Sequence, residues 1–302
     1  MQLNSNNIQI ISAPSVLGLT PGGVEQLADS LLQNGLAAGL ATPHKVIDVP
    51  TLNHLYNVHR DEETDCLNPG LVHDFSISLS NTVTDVVSKN RFVFVLGGDC
   101  SVLIGIMSGL KTIGTYGLVF IDAHADFYEP EKSTTGQTAD MDLALVTGRG
   151  PRILTNINNL HPYVQDENVV HIGQRDWEET QKYGSQDIKE TAITCFDLKL
   201  IRQQGIDAAT NKILKHIHSI SVEGLWIHFD TDVLDDAINP AVDYRLPGGL
   251  SFHEAEYVLK QLLDTGKIAG ISVTIYNPAL DKDGSIGKNI TTMLLNALVN
   301  TD

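Results

Sequence analysis

Three short stretches of this sequence concentrate side chains that bind metals and move protons: Gly97-Gly98-Asp99-Cys100-Ser101, Asp122-Ala123-His124-Ala125-Asp126 and Asp230-Thr231-Asp232. Each follows a short run of β-branched and aromatic residues, at Phe92–Leu96, Leu118–Ile121 and Leu225–Phe229. In an extended chain, residues i and i+2 point to the same face, so Asp122 projects with His124, and Asp230 with Asp232. A turn after the second strand can return Asp126 to the same cavity. Four carboxylates gathered in one buried place repel one another and drive their pKa values upward. A pair of divalent cations bridging them removes that cost. Mixed imidazole and carboxylate ligation suits Mn²⁺, with Zn, Fe, Co or Ni as alternatives. His228 shares the face of Asp230; a core histidine is the plain reading of it, and a catalytic group the sharper one. One D-x-D after a strand is as readily a capping pair, but three ligand-dense strand ends together call for an ion.

The elements that position these residues follow from the apolar pattern. Besides the three runs above, Ile8–Ile11, Val46–Val49, Val169–Ile172, Ala192–Phe196 and Ile271–Ile275 each read as a short, fully buried strand. Helical spacing of apolar residues fills the segments from about 24 to 40, 71 to 89 and 207 to 217. Ser251-Phe-His-Glu254 is a capping box that opens a helix through Leu263, and a last helix runs from near Ile286 to Val299. This alternation predicts one α/β domain over residues 1–302: a three-layer, mostly parallel, eight-stranded sheet with helices on both faces. In such sheets ligands bind beyond the carboxyl ends of the strands, where the three motifs lie.

Composition narrows the partners. The 302 residues are 42% hydrophobic and carry a net charge of −17, which suits a soluble globular protein and disfavours nucleic acid and anionic membrane. The negative field can attract a cationic substrate or a metal ion. No apolar run approaches the roughly 20 residues of a membrane span. The opening MQLNSNNIQI lacks the basic and apolar regions of a signal peptide, so cytoplasm is the expected location. Cys66, Cys100 and Cys195 are scattered and odd in number, which argues against a disulfide framework.

The motifs together resemble the ureohydrolase (arginase/agmatinase/formimidoylglutamase) superfamily. Gly97-Gly-Asp-Cys-Ser101 is similar to its GGDHS motif, and Asp122–Asp126 to its DAHxD motif. Asp230-Thr-Asp-Val-Leu-Asp235, with Leu246-Pro-Gly-Gly249 after it, is similar to its FDxDxxDP…PGGL segment. Ala13-Pro14, Gly22-Gly-Val-Glu25 and Tyr276-Asn-Pro278 extend the likeness over nearly the whole chain. The resemblance implies a first metal held by Asp122, Asp126, Asp230 and the residue at position 100. It implies a second held by Asp122, His124, Asp230 and Asp232. It further implies a bridging hydroxide as nucleophile, with Asp126 among the catalytic groups, and a homotrimer or homohexamer.

Three departures bear on function. Cys100 stands where the family has a histidine ligand: a thiolate there favours Zn or Fe over Mn, whereas a protonated thiol leaves the first site weak or empty. In Thr135-Gly-Gln137-Thr-Ala139-Asp140-Met-Asp142, Thr135 and Gln137 can still contact substrate, but Ala139 replaces the proton-shuttling histidine. Asp140 or Asp142 can substitute for it, although an acidic helix start explains both. Ile275 or Thr274 takes the place of the glutamate that anchors a guanidinium, so plain arginine is a poor candidate substrate. Glu178 matches the acidic position that meets a substrate amino group. Arg149 and Arg152 can meet a carboxylate or phosphate, and as surface-loop residues need no such role. The expected activity is metal-dependent hydrolysis of a linear amidine or guanidino C–N bond in a small molecule. The alternative is a weak or inactive homologue that binds a metal or small molecule.

Overall fold

All eight apolar runs form strands, and they join one parallel sheet. The computed structural model describes residues 7–299, so the N-terminal stretch on which the leader expectation mainly rests lies outside the described residues. The strands are β1 (Ile8–Ser12), β2 (Ile47–Asp48), β3 (Phe92–Leu96), β4 (Tyr116–Ile121), β5 (Val169–Ile172), β6 (Thr194–Phe196), β7 (Gly224–Asp230) and β8 (Ile268–Thr274). Their order across the sheet is β2-β1-β3-β8-β7-β4-β5-β6. Every pairing is parallel. The three motif-bearing strands and β8 are therefore neighbours at the centre of the sheet.

Alternate residues on each central strand feed opposite layers. Phe92, Phe94 and Leu96 join one core with Ile227, Phe229 and Ile271. Val93 and Val95 join the other with Phe120 and Trp226. The first layer carries α1 (Leu27–Gln33), α2 (Leu36–Gly39), α9 (Ile206–Ser219), α10 (Phe252–Asp264) and α11 (Ser285–Leu298). The second carries α3 (Pro69–Val87), α4 (Val102–Ile113), α5 (Asp142–Val146) and α6 (Arg152–Thr155). Two short helices, α7 (Trp177–Tyr183) and α8 (Leu198–Gln204), flank β6.

The helix expected from 24 to 40 is instead a 3₁₀ turn, Val24–Gln26, followed by α1 and α2. Gly35 breaks it at a φ of 91°, a conformation open to glycine at little cost. The capping box is formed: Ser251 accepts from the Glu254 amide, and the Glu254 carboxylate accepts from the Ser251 amide at 2.8 Å. Among the described residues no helix is long and apolar enough to cross a membrane.

Candidate metal centre and active-site cavity

The carboxyl ends of β3, β4, β7 and β8 converge on one cavity, of about 850 Å³ including its open mouth. Its floor carries Cys100, His124, Asp126, Asp230 and Asp232, and its wall Ile275. The turn after β3 approaches the N-terminal loop so closely that a Cβ on Gly98 would lie 1.8 Å from the Ser15 carbonyl oxygen. Ile275 N–H donates to the Gly98 carbonyl at 2.9 Å, which ties the end of β8 to that turn. Asp99 is structural: its carboxylate accepts from the amides of Gly18 and Ser101.

Two sets of ligand atoms form, each with all its members within 4.8 Å of one another: Cys100, Asp122, His228 and Asp230, and Asp122, His124 and Asp232. Asp122 belongs to both, as a bridging ligand would. His124 Nδ1 lies 2.9 Å from Asp232 Oδ2 and 3.6 Å from Asp122 Oδ1. The loops are held by backbone contacts. Asp230 caps the turn that follows it through the Asp232 amide at 2.8 Å, and Asp122 Oδ1 accepts from the His124 amide at 2.7 Å. Arg175 fastens the β7 loop by donating to the carbonyls of Asp232, Val233 and Leu234. Asp176 Oδ2 accepts from the Ala125 amide, and His171 Nε2 donates to the His124 carbonyl at 2.7 Å. Sequence reading passed over these supports; the Gly173-Gln-Arg-Asp176 run after β5 is their visible signal.

The electrostatics match a site built for cations. Burial, and then Asp232, push the Asp122 carboxyl up to about 7. Burial raises Asp126, Asp142 and Asp230 well above the usual carboxylate range, with their acidic neighbours adding to it. Burial opposes a charge on His124, but Asp232 and Asp122 outweigh it and raise the imidazole pKa. Burial also pushes the Cys100 thiol far up, and Asp230 adds to it; the thiol donates to Asp230 Oδ2 at 2.9 Å. Asp122 Oδ2 and both carboxylate oxygens of Asp142 have no hydrogen-bond partner. A buried carboxylate oxygen without a donor is costly, and a divalent ion takes such lone pairs. The oxygen, nitrogen and sulfur donors here fit that role.

The remaining sequence candidates separate. Asp126, with φ of 44°, faces the cavity but belongs to neither ligand set. Thr135 and Gln137 line the cavity, where Thr135 Oγ1 donates to Asp140 Oδ2 at 2.6 Å and Gln137 Oε1 accepts from the Tyr244 hydroxyl at 2.9 Å. Glu178 is exposed in the first turn of α7, and the acidic side chains there that line the cavity are instead the buried Asp176 and the exposed Glu179. A helix brings positions one residue apart to different faces, which a motif match does not register. Arg149 pairs with Asp166 at 2.6 Å, and Arg152 is exposed. Asp142 opens α5, as an acidic helix start would, yet it is fully buried against His228. Ile275, the apolar residue in the glutamate position, holds a φ of 72°.

The model of the family described as "Arginase family" matches residues 10–301. The chain is 29% identical over 294 residues to an arginase of Staphylococcus aureus strain COL, covering 95% of each. It is 29% identical over 293 residues to an arginase of Bacillus subtilis strain 168, covering 95% of this chain and 96% of that one. Its fold overlays the arginase of Bacillus caldovelox with a TM-score of 0.88 at 25% identity, covering 98% and 99% of the two chains. A Bacillus subtilis formimidoylglutamase shares the fold with a TM-score of 0.71 at 18% identity, covering 98% and 87%. Because the family model runs through every ligand-bearing strand end, the chain belongs to the arginase family.

Proposed function

We propose that this protein is a metal-dependent hydrolase of a C–N bond in a small linear amidine or guanidino compound other than plain arginine. The observation that carries the reading is Asp122, shared between two ligand sets whose members Cys100, His124, Asp230 and Asp232 line one open cavity. Two divalent ions held there would supply Lewis acidity, polarising the substrate carbon and lowering the pKa of water toward neutrality. His124, Asp232 and the shared Asp122 would hold one ion; Cys100, Asp122 and Asp230 belong to the other.

The cavity argues for the substrate class. Leu19, Cys100, Ala139 and Ile275 make an apolar wall beside the ligands. A buried apolar wall cannot pair with a guanidinium, and losing a desolvated charge partner costs about 3–5 kcal/mol. Farther out, Asp176 and Glu179 suit a cationic end, beside the rings of Tyr128 and Tyr244. Asp140 is our candidate for the group that holds a proton for the departing amine. It lines the cavity next to Ala139, and burial pushes its carboxyl up to about 6.

The same apolar wall favours a second reading, a homologue that binds ions without turnover. The test is ammonia or urea release from a panel of guanidino and amidine compounds by protein loaded with Mn, Zn or Fe, beside Asp122→Asn. Turnover lost in the variant supports the hydrolase. Full loading with no turnover across the panel leaves the second reading.

A further inference from the structure

We infer that the first metal site of this chain has moved its imidazole from the loop after β3 to strand β7, so that Cys100, His228 and Asp142 ligate one ion together with the shared Asp122 and Asp230. The inference rests on the dinuclear reading above and specifies one of its two sites.

His228 and Cys100 lie on different elements, yet their ligand atoms and those of Asp122 and Asp230 are all within 4.8 Å of one another. Ligands bound at about 2.0–2.3 Å around one ion stand at comparable separations, so little movement is needed. The imidazole is oriented for this role. His228 Nδ1 contacts Ser272 Oγ at 3.0 Å, and that oxygen also accepts from Trp226 Nε1 at 3.0 Å. With the Ser272 hydroxyl turned toward the Ile227 carbonyl, Oγ accepts from Nδ1–H, and the lone pair stays on Nε2. The ring is clamped by stacking on Phe120, with centroids 5.0 Å apart. Nε2 has only a long contact to Thr274 Oγ1, 3.4 Å, and it faces Asp142 Oδ2 at 3.8 Å.

Asp142 is the second, independent observation. Its side chain is fully buried, and neither oxygen has a hydrogen-bond partner. The Leu143 amide lies close to this carboxylate, as at a helix start, but Oδ2 also faces the His228 ring at 3.8 Å. Asp142 lies outside the four-atom set, as does Asp126, which the family resemblance assigns to the first ion; of the two, Asp142 is the one that faces His228 Nε2. The consequence is an unlike pair of sites. Thiolate with imidazole selects Zn or Fe, whereas the carboxylate-rich set around His124 also accepts Mn.

X-ray absorption at the zinc edge of wild-type protein loaded to saturation tests this without any substitution. The expected spectrum contains a sulfur neighbour at about 2.3 Å and imidazole scattering from both ions. His228→Ser should bind one ion fewer and lose the sulfur neighbour while the remaining ion keeps its imidazole, and Cys100→His in that background should restore the second ion. Asp142→Asn should weaken the same ion about tenfold or more. Two bound ions with no sulfur neighbour, or with imidazole on only one of them, would overturn the relocated set while leaving the dinuclear reading intact. Wild-type protein that binds no ion would sink both. The wild-type spectrum decides the matter even if His228→Ser fails to fold.

Discussion

At Ile275 a β-branched side chain occupies a left-handed backbone conformation, with φ of 72°, beside the ligands and against the cavity. Such a conformation costs on the order of 1–3 kcal/mol and persists where its surroundings hold it. Here the amide of Ile275 is held by Gly98. The main chain is thus set to aim a side chain at the substrate, and the side chain it aims is apolar. Ile275→Glu should raise arginine hydrolysis by about tenfold or more in kcat/KM, with a loss on any amidine that the wild type hydrolyses; unchanged arginine turnover would mean that the wall does not select. Asp140 is the other decisive side chain. If it gives its proton to the leaving amine, kcat falls as pH rises through about 6. Asp140→Asn should abolish that limb and lower kcat by about 10²-fold without changing bound metal. An unaltered pH profile in the variant would eliminate Asp140.

Among the elements, the turn after β3 tolerates the least change. Gly98→Ala would press a methyl into the Ser15 carbonyl, and the backbone shift needed to relieve it should cost about 3 kcal/mol or more, read from the urea midpoint. The strands were legible because β-branched runs between turn residues have few other readings, and the motifs marked their carboxyl ends. Helix α4 was not. All of Val102–Leu110 is buried, so no polar face gives it a helical period. Asp142 was half legible: an acid at a helix start satisfies local rules, and only its burial against His228 of β7 shows the side chain turned inward. Glu178 lies outside the cavity lining for the opposite reason, because a motif fixes sequence position but not helix phase.

For the whole molecule, the buried charges predict how ion-free protein responds to pH. Asp122, raised to about 7, and Asp140, raised to about 6, contribute stability that is complete below the unfolded value of about 4 and lost as pH rises through the folded one. His124, also raised, acts in the same direction. His171 and His228 are lowered by burial to about 4 and about 3. Their contribution grows with pH until about 6.5 and opposes the others below that point. Above it only losses remain. The melting temperature of ion-free protein should therefore fall between about pH 6.5 and 8, and divalent ions should flatten the fall by replacing protons. A flat ion-free curve over that range would contradict the picture of crowded carboxylates.

Strands β3 and β8 lie side by side, with Val93 beside Gly270, although they come from distant parts of the chain. A nascent chain extended just past the loop after β4 already carries Asp99, Cys100, Asp122 and His124, but neither Asp230 nor the strand that fills the gap between β3 and β7. Closing so long a loop is entropically costly, and sheets built from such distant pairings form slowly. An ion met during synthesis would find only a fragment of the ligand set. An ion held by the full ligand set would therefore be acquired by the finished molecule, and its identity would reflect the supply where folding ends rather than where translation begins.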